Sequence, residues 1–391
     1  MRRGLTIALT LMALTTWWPL AAGAAAPAAA ATPASAAAAP AGTTTGWAVQ
    51  PTPAPPGSEF YDISCLSATD CTAVGNYQNS PGPVLPLAEH WDGSTWAVQA
   101  TPAPPGSAGS SLDAVSCVSS ANCTAVGNYQ NSPLHYMVLA EHWDGRTWTI
   151  EAAPNPAGND DDVLIAVSCA AAADCVAVGQ YVDTQQRTLT LAEHWNGSIW
   201  ALTDAHDAPG NSSVLIGVSC TAVTRCVAIG DSYPRPADGT LTDVWNGSAW
   251  TLSRSGTAQR GTFYAISCTG ADSCTAVGGA ASGTLAASWN GSTWTQQAMP
   301  HPARLASASL TGVSCATATD CTAVGSYPTA GSQSASLAEQ YSGRRWRVQA
   351  TASPVAGRIL DSVACTTAGC TAAGFRNSAT TGPVGTLAEH D

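Results

Sequence analysis

Residues 64–75, SCLSATDCTAVG, place two cysteines six positions apart, with small and β-branched residues around them. The pattern returns six times, so the 14 cysteines form seven local pairs: Cys65/Cys71, Cys117/Cys123, Cys169/Cys175, Cys220/Cys226, Cys268/Cys274, Cys315/Cys321 and Cys365/Cys370. The first cysteines of successive pairs lie 52, 52, 51, 48, 47 and 50 residues apart. A nearly fixed period of this size is typical of a repeat architecture.

Each repeat contains four segments with the composition of short strands. In the first repeat they are FYDISC (60–65), CTAVG (71–75), LAEHW (87–91) and WAVQA (96–100). The third and fourth segments are joined by Asp-Gly or Asn-Gly, in which we expect both residues to tolerate positive φ. Four antiparallel strands per repeat match a propeller blade, and seven blades lie within the usual range of roughly four to eight. The sequence therefore predicts an all-β, seven-bladed β-propeller. A string of independent mini-domains is less favoured, because such short units bury too little surface to be stable alone.

The two ends of this repeat array complement each other. Residues 46–58, GWAVQPTPAPPGS, nearly copy residues 95–107, but no blade precedes them. The last repeat ends with GTLAEHD (385–391), so it has a third strand and lacks a fourth. We therefore expect a strand at about residues 46–50 to pair with one at about 386–390, which closes the ring and removes two exposed sheet edges.

The first residues have the features of a targeting segment. Residues 1–26 combine two arginines, an apolar run and an A-x-A-like site, the pattern of a secretory signal peptide. Residues 27–45 are rich in Ala, Pro and Thr and are interpreted as a flexible tether, and residues 46–391 as the propeller. No later segment has the apolar length of a membrane-spanning helix. We expect a secreted, monomeric extracellular protein, free or associated with the cell wall, with no membrane insertion.

Composition excludes several classes of function. The chain of 391 residues is 45% hydrophobic and 10% charged, which favours a folded protein. Its net charge is −12, and it contains no lysine, so a phosphate-neutralising surface for nucleic acid is not expected. The sequence contains no P-loop, dinucleotide fingerprint, nucleophile elbow or H-E-x-x-H motif. We therefore expect no nucleic-acid partner, no cofactor and no metal.

The cysteine pairs allow a chemical and a structural interpretation. The C-x5-C spacing is wider than the C-x2–4-C of most zinc sites, and evenly spaced cysteines in a secreted chain predict disulfides between strands one and two. We expect these cysteine hairpins, together with the Asp-Gly turns, at one outer face of the propeller.

Two other groups of residues, one recurring and one clustered, are not assigned a chemical role. The Glu-His pair of strand three, as in Glu89 and His90, is interpreted as structural or surface, because other repeats replace it. Arg344, Arg345 and Arg347 form the densest basic cluster and are interpreted as solvated surface.

The repeat unit resembles a known family of propellers. The motif S-C-x5-C-x-A-V-G followed by L-A-E-H-W-[DN]-G-x-x-W is similar to the blades of secreted β-propeller proteins common in actinobacteria, over residues 46–391. The segment Asp92, Gly93, Thr95 and Trp96 also resembles the Asp-box turn of sialidase-type propellers, with one residue less between Asp and Trp. The resemblance implies the fold and leaves the activity open.

Function is expected where the repeats differ, in the connections from strand four to strand one and from strand two to strand three. The candidate binding residues on this loop face are Tyr77, Tyr129, Tyr181, Tyr233, Tyr327, His135, Arg260, His301 and Arg304. The tyrosines follow strand two, where they serve either sugar stacking or packing within the repeat. We expect a non-catalytic propeller that binds a glycan, a cell-wall polymer or a protein. The alternative is a glycan-active hydrolase or lyase, with these acid/base candidates: Asp160, Asp162, Asp204, His206 and Asp207.

Overall fold

All 28 strands belong to four-stranded antiparallel sheets, and the described residues contain no helix. The computed structural model describes residues 46–78, 81–132, 135–156, 161–208, 212–233, 240–253, 261–300, 307–329, 333–352, 357–378 and 382–391. The predicted signal peptide (1–26) and tether (27–45) lie outside these residues.

The strands in chain order are β1 (Ala48–Gln50); β2 (Ser58–Ser67), β3 (Asp70–Gln78), β4 (Val84–Trp91) and β5 (Trp96–Gln99) of the first blade; β6 (Gly109–Ser119), β7 (Asn122–Ser132), β8 (His135–Trp143) and β9 (Trp148–Glu151) of the second; β10 (Val163–Ala171), β11 (Asp174–Val182), β12 (Thr188–Trp195) and β13 (Trp200–Leu202) of the third; β14 (Ser212–Ala222), β15 (Arg225–Tyr233), β16 (Leu241–Trp245) and β17 (Trp250–Leu252) of the fourth; β18 (Gly261–Gly270), β19 (Ser273–Ala280), β20 (Gly283–Trp289) and β21 (Trp294–Gln296) of the fifth; β22 (Ser309–Thr317), β23 (Asp320–Pro328), β24 (Ser334–Tyr341) and β25 (Trp346–Gln349) of the sixth; and β26 (Arg358–Thr366), β27 (Gly369–Ser378) and β28 (Gly382–His390) of the seventh.

The seventh blade is completed by the first strand of the chain. Its sheet has the order β1-β28-β27-β26, whereas each of the other six sheets contains four consecutive strands. Ala48 lies opposite His390, Val49 opposite Glu389 and Gln50 opposite Ala388. Both the seven-bladed propeller and its predicted closure by the N-terminal strand are therefore confirmed.

The hydrophobic core is divided into wedges between neighbouring blades. Each of the seven interfaces contains a cluster of buried apolar side chains, built mainly from the Ala and Val of strand two, the Leu of strand three and the Trp of strand four. The cluster between the seventh and first blades joins Phe60 to Ala373 and Ala388, which lie more than 300 residues away along the chain. Because a sheet of this composition has two apolar faces, each blade needs a neighbour on both sides.

The tryptophans at the start of strand four connect adjacent blades. Each donates a hydrogen bond from Nε1 to a side-chain oxygen of the preceding blade, at 2.7–3.2 Å: Trp47 to Gln349, Trp96 to Gln50, Trp148 to Gln99, Trp200 to Glu151, Trp250 to Thr203, Trp294 to Thr242 and Trp346 to Gln297. Their rings are 3–5% exposed. The closing strand takes part twice, since Trp47 donates to the sixth blade and Gln50 accepts from the first.

The Ser-Cys dipeptide of strand one serves two purposes. Each cysteine forms the cross-strand disulfide that the spacing predicted, and all 14 cysteines are paired. The serine Oγ accepts the backbone N–H of the next blade's cysteine at 2.9–3.1 Å: Ser64 from Cys117, Ser116 from Cys169, Ser168 from Cys220, Ser219 from Cys268, Ser267 from Cys315 and Ser314 from Cys365.

The second cysteine of each disulfide is buried although the cysteine hairpins lie at one end of the propeller. The strand-two cysteines are only 0–8% exposed and belong to the apolar clusters between blades: Cys71, Cys123, Cys175, Cys226, Cys274, Cys321 and Cys370. The reason is that the neighbouring blades cover strand two from its first residues. The Sγ of Cys71, for example, lies 3.9 Å from Oγ1 of Thr371 in the seventh blade. These sulfurs are therefore part of the core and not of a surface that a ligand could reach.

The closure interface departs from the serine pattern. The seventh blade has Ala364 where the other blades have the serine, so the serine bond to Cys65 is absent there. Asp62 compensates, because one carboxylate oxygen accepts the hydroxyl of Ser362 in the seventh blade and the other accepts the N–H of Val115 in the second, at 2.9 Å. The inner strands of three blades are thereby connected through one side chain.

The glycine that ends each C-x-A-V-G motif is required by a bulge in strand one. The register shifts between Phe60 and Asp62, which brings the carbonyl oxygen of Glu59 against Gly75. A Cβ atom on Gly75 would lie 1.9 Å from that oxygen, and the equivalent glycines give 1.9–2.2 Å. The recurring glycine therefore permits a close backbone approach.

The turns between strands three and four differ in detail from the sequence expectation. Only the glycine has positive φ, as at Gly93 (φ 92°), whereas the preceding Asp or Asn does not. Asp92 instead caps a four-residue connection, because its Oδ1 accepts the N–H groups of Ser94 and Thr95, both at 2.8 Å. The carboxylate thus forms an Asx-type turn, which explains why Asp and Asn interchange at this position.

Replacing Trp47 by alanine tests the closure. We expect Trp47→Ala to lower the free energy of unfolding by about 3–5 kcal/mol, because the ring packs between the sixth and seventh blades and donates to Gln349. Val49→Ala in the same strand is the matched control, since Val49 is 45% exposed and should change stability little. Thermal and denaturant unfolding measure both variants, and equal stabilities would contradict this role of the closing strand.

Adding the missing hydroxyl at Ala364 tests the inner ring of hydrogen bonds. We expect Ala364→Ser to raise the free energy of unfolding by about 0.5–1.5 kcal/mol, because it supplies an acceptor for Cys65 N–H. Ser314→Ala removes an existing bond and is expected to cost about 1–3 kcal/mol. Suppose that Ala364→Ser leaves the free energy of unfolding unchanged while Ser314→Ala lowers it. This result would show that the hydrogen bonds of Asp62 already replace the missing serine bond at this interface.

Candidate functional site

The two ends of the propeller carry different kinds of connection. At one end, which we call the turn face, the cysteine hairpins meet the turns between strands three and four, as where Gly93 approaches Thr69. At the other end, the loop face, strand four leads into the next blade and strand two leads into strand three. The loop-face connections vary most in sequence among the repeats.

Four of the predicted site residues lie outside the described residues: Asp160, Arg260, His301 and Arg304. The others are placed, and two expectations about them need correction. The tyrosines lie within strand two, near its loop-face end, and do not follow it; Tyr77 is in β3 and Tyr181 in β11. His135 is the first residue of strand β8 and does not belong to a loop. The strands are longer than the sequence suggested because their pairing continues past the glycine.

Most of the tyrosines pack within the blade interfaces. Tyr77, Tyr129, Tyr181 and Tyr327 are partly buried and lie against the apolar clusters between blades. Tyr233 is 37% exposed, and its hydroxyl donates to Asp231 at 3.2 Å. The tyrosines therefore do not share one environment, and the surrounding charges distinguish them.

Tyr181 of the third blade lies in a cluster of acidic side chains. Its hydroxyl pKa is raised by partial burial and by the negative charges of Asp207, Asp183 and Asp162, while Arg187 opposes them. The three carboxylates come from three separate connections on the loop face: the segment before β10, the turn between β11 and β12, and the loop after β13. We call Tyr181, Asp162, Asp183, Arg187 and Asp207 the Tyr181 cluster.

Two members of the cluster hold the turn between β11 and β12. Asp183 accepts the N–H groups of Gln185 and Arg187, both at 2.9 Å, and pairs with the Arg187 guanidinium at 2.7 Å. These bonds lower the pKa of Asp183, with the backbone N–H of Arg187 as the largest cause. Gln186 takes a φ of 62° at the tip. The turn therefore presents an ionised carboxylate beside Tyr181 in a fixed position.

The loop after β13 is held by the residues that the sequence offered as acid/base candidates. Asp207 accepts the backbone N–H of Thr190 at 2.8 Å, and burial raises its pKa. His206 bonds to Asp243 through both its backbone N–H (2.8 Å) and its ring Nδ1 (3.0 Å). Asp204 is exposed. The structure thus brings Asp207 to Tyr181 and directs His206 towards the neighbouring blade.

Asp162, the buried member of the Tyr181 cluster, acts electrostatically on Glu193 of β12. Both are 0% exposed, and the charge of Asp162 adds to the desolvation that raises the pKa of Glu193 to about 8. The segment carrying Asp162 is pinned to the second blade, because its N–H donates to the Tyr136 carbonyl at 3.0 Å. The sequence singled out Asp162 as an acid/base candidate and Glu193 as part of the structural or surface Glu-His pair, but it did not single out Arg187.

Glu193 belongs to a ring of buried carboxyl groups. Strand three has an acid at the same position in six of the seven blades, all 0% exposed: Glu89, Glu141, Glu193, Asp243, Glu339 and Glu389. Each faces a blade interface, whereas the adjacent histidine lies on the other face; His90, for example, bonds Asp70 at 3.0 Å. The Glu of the Glu-His pair is therefore structural and not a surface residue. The recurrence of an acid at this position was the available signal.

Desolvation dominates the titration of this ring. Burial raises the pKa of Glu89, Glu141 and Glu193 to about 8 and that of Glu339 to about 7. Some members accept a hydrogen bond, as Glu389 does from the N–H of Ala352 at 3.2 Å and Asp243 from His206. Both carboxyl oxygens of Glu141 lack a hydrogen-bond partner among the described residues. A protonated carboxyl is therefore the preferred state of Glu89, Glu141 and Glu193 near neutral pH.

The fold and the site define a seven-bladed β-propeller with one disulfide in each blade and with a tyrosine among acidic side chains on its loop face. In the described ranges, His, Cys, Asp and Glu side chains form no group of three or more that is arranged to hold a metal ion. No helix within the described part of the chain is long and apolar enough to cross a membrane.

Comparisons with known proteins support the fold. No protein-family model and no curated protein matches the chain. Among solved structures, YCF48 bound to D1 peptide is 12% identical, with a TM-score of 0.55 over 90% of this chain and 97% of that one. The WD40 β-propeller domain of Doa1 is 11% identical, with a TM-score of 0.55 over 89% and 98%. The GH74 xyloglucanase from Xanthomonas campestris is 13% identical, with a TM-score of 0.54 over 87% of this chain and 55% of that chain. Likeness at these identities shows the architecture and no shared activity.

The buried carboxyl ring predicts stability that decreases with rising pH. The unfolded chain releases the protons of Glu89, Glu141 and Glu193 near the ordinary pKa of 4.5, whereas the folded protein retains them up to about pH 8. The folded state thus binds more protons in this window, and the free energy of unfolding falls as pH rises through it.

Glu141→Gln tests this linkage. Removing one buried carboxyl should reduce the slope of unfolding free energy against pH by up to about 1.4 kcal/mol per pH unit between about pH 5 and 7.5. Asp204→Asn, at an exposed residue of the third blade, serves as the control and should leave the slope unchanged. Denaturant titrations across this pH range measure the slopes, and an unchanged slope in Glu141→Gln would contradict the protonated state.

Proposed function

We propose that the protein is a secreted, non-catalytic β-propeller that binds an extracellular glycan polymer through its loop face, at the Tyr181 cluster. The observation that carries this proposal is the partly exposed Tyr181 within the field of three carboxylates from three connections and a single guanidinium. A tyrosine ring offers an apolar face for a sugar ring, and the carboxylate of Asp183 offers an acceptor for sugar hydroxyl groups. A few fixed polar groups beside an aromatic surface are typical of ligand sites.

The hydrogen bonds of the acid/base candidates favour binding over catalysis. A general acid or base must reach the substrate within hydrogen-bond distance. His206 is held by Asp243, Asp207 holds the N–H of Thr190, and Asp162 is fully buried. These groups position the loops around Tyr181. The hydrolase or lyase alternative would require one of them to leave its present partner.

Location and processing form part of the same proposal. We propose that residues 1–26 are removed as a signal peptide and that residues 27–45 tether the propeller of residues 46–391. The seven disulfides support an oxidising extracellular environment. We also propose a monomer, because the outer strands span only three to four residues and offer short edges for association.

The blade motif and the structural comparisons are consistent with this class of function. The repeat resembles secreted propellers of actinobacteria, and a propeller of similar architecture has been solved with D1 peptide bound. A propeller of this kind can therefore hold a peptide ligand. A protein ligand remains the competing outcome of the binding experiment.

Tyr181→Ala tests the location of the binding site. Binding of the secreted protein is measured on a glycan array and then by calorimetry with the best glycan. We expect Tyr181→Ala to weaken binding at least tenfold, or about 1.4 kcal/mol, because the stacking surface is lost. Tyr129→Ala is the matched control: Tyr129 occupies the same position in the second blade and has similar packing.

Three outcomes would contradict the proposal. Equal losses in both variants would indicate a general effect of packing and not a site at Tyr181. Binding to peptides with no binding to any glycan would replace the glycan with a protein ligand. Turnover of a polymer that is abolished by Asp207→Asn would establish the hydrolase or lyase alternative.

A further inference from the structure

One turn on the turn face departs from all the others. In the first five blades the connection between strands three and four begins with Asp or Asn, whose side chain accepts two backbone N–H groups of the turn. In the sixth blade the connection reads Ser342-Gly343-Arg344-Arg345, and the strand that follows begins Trp346-Arg347. Its backbone closes with the Ser342 N–H and the Arg345 carbonyl at 3.5 Å. The capping side chain is replaced while two arginines are added.

These arginines have no structural task that the fold explains. Arg344, Arg345 and Arg347 are all exposed, and none of their guanidinium groups forms an ion pair or hydrogen bond with a described residue. By contrast, Arg187 and Arg225 pair with Asp183 and Asp272, both at 2.7 Å. Exposed arginines without partners do not stabilise a fold appreciably. Their concentration within four residues therefore points to a ligand and not to packing.

The platform under the arginines is rigid. The ring of Trp346 is 3% exposed, packs near Tyr341 at 5.5 Å between ring centroids and donates to Gln297 of the fifth blade at 2.7 Å. Gln349 and Gln340 are bonded across the same strand pair at 3.1 Å. Little backbone entropy would be lost when a ligand binds, because both ends of the turn are already fixed.

The local charge is positive in a protein that is otherwise acidic. Residues 307–352 contain two acidic residues, Asp320 and Glu339, and Glu339 is fully buried. Asp320 is exposed and near Gln340, at 3.5 Å. Three arginines therefore outweigh one exposed carboxylate on this side of the blade, although the chain as a whole has a net charge of −12. A polyanion would be attracted here and repelled by most of the remaining surface.

We propose that Arg344, Arg345 and Arg347 form a second binding site, on the turn face of the sixth blade, for a phosphate-bearing polymer outside the cell. Guanidinium groups bind phosphate oxygens through two parallel hydrogen bonds, and several adjacent phosphates along one chain engage several arginines at once. The turn is flanked by no exposed large apolar side chain in the described part of the sixth blade, so a lipid surface is less favoured. The site lies at the opposite end of the propeller from the Tyr181 cluster and is independent of it.

The experiment measures binding of the full secreted protein to fluorescent inorganic polyphosphate by anisotropy. We expect binding that weakens roughly tenfold between about 50 and 200 mM salt, as two to three phosphate contacts require. The triple variant Arg344→Gln, Arg345→Gln, Arg347→Gln should lose binding at least tenfold. Arg146→Gln is the matched control, because Arg146 occupies the position of Arg344 in the turn of the second blade and stands alone there. It should bind as the unaltered protein does.

Each alternative outcome has a definite meaning. Unaltered binding by the triple variant, or no binding at about 50 mM salt, would overturn the proposal. Tighter binding to duplex DNA, or to vesicles containing phosphatidylglycerol, than to polyphosphate would replace the polymer with those partners. Tyr181→Ala should leave polyphosphate binding unchanged, which separates the failure of this site from the failure of the loop-face site. Thermal unfolding of the triple variant verifies that its fold is retained.

Discussion

The contact between the first and seventh blades is the constraint on which the rest of the molecule depends. Every blade has two apolar faces, so a linear row of blades would leave one face exposed at each end. Closure buries Phe60 against Ala373 and Ala388 and lets β1 complete the seventh sheet. The remaining six interfaces resemble one another, but only this one joins the two ends of the chain. It is also the interface at which the repeat changes, with Ala364 and Asp62 in place of the usual residues.

Most of the repeated residues are explained by contacts between blades. The serine before the cysteine accepts a bond from the next inner strand, and the Trp of strand four donates to the preceding blade. The glycine of strand two instead admits a bulge within its own blade. The second cysteine of each pair adds its buried sulfur to the same interfaces. Together these contacts account for most of the positions that recur in each repeat of about 50 residues. Residues outside these contacts are free to vary.

The carboxyl groups are divided between two very different environments. Those of strand three are enclosed between blades, where desolvation favours the protonated form. Those of the Tyr181 cluster lie in connections, and Asp183 is held ionised by backbone N–H groups. Asp162 links the two sets, since it is a fully buried member of the cluster and its charge acts on both Tyr181 and Glu193. The third blade therefore carries acidic side chains both on its loop face and in its interior.

The sequence by itself determined the number of blades, the strands, the disulfides and the closing strand. The blades, strands and disulfides follow from the cysteine period and the hairpin spacing, which recur in every repeat, and the closing strand follows from the fourth strand that the last repeat lacks. It also named Asp162 and Asp207, two of the carboxylates near Tyr181. Only the tertiary structure decided that Glu193 is buried, that His206 turns to Asp243 and that Asp183 and Arg187 join Tyr181. Strand three is buried on both faces, so alternation of polar and apolar residues does not reveal which side chains are inside. The cluster combines connections that are distant in sequence, and their meeting depends on how neighbouring blades pack.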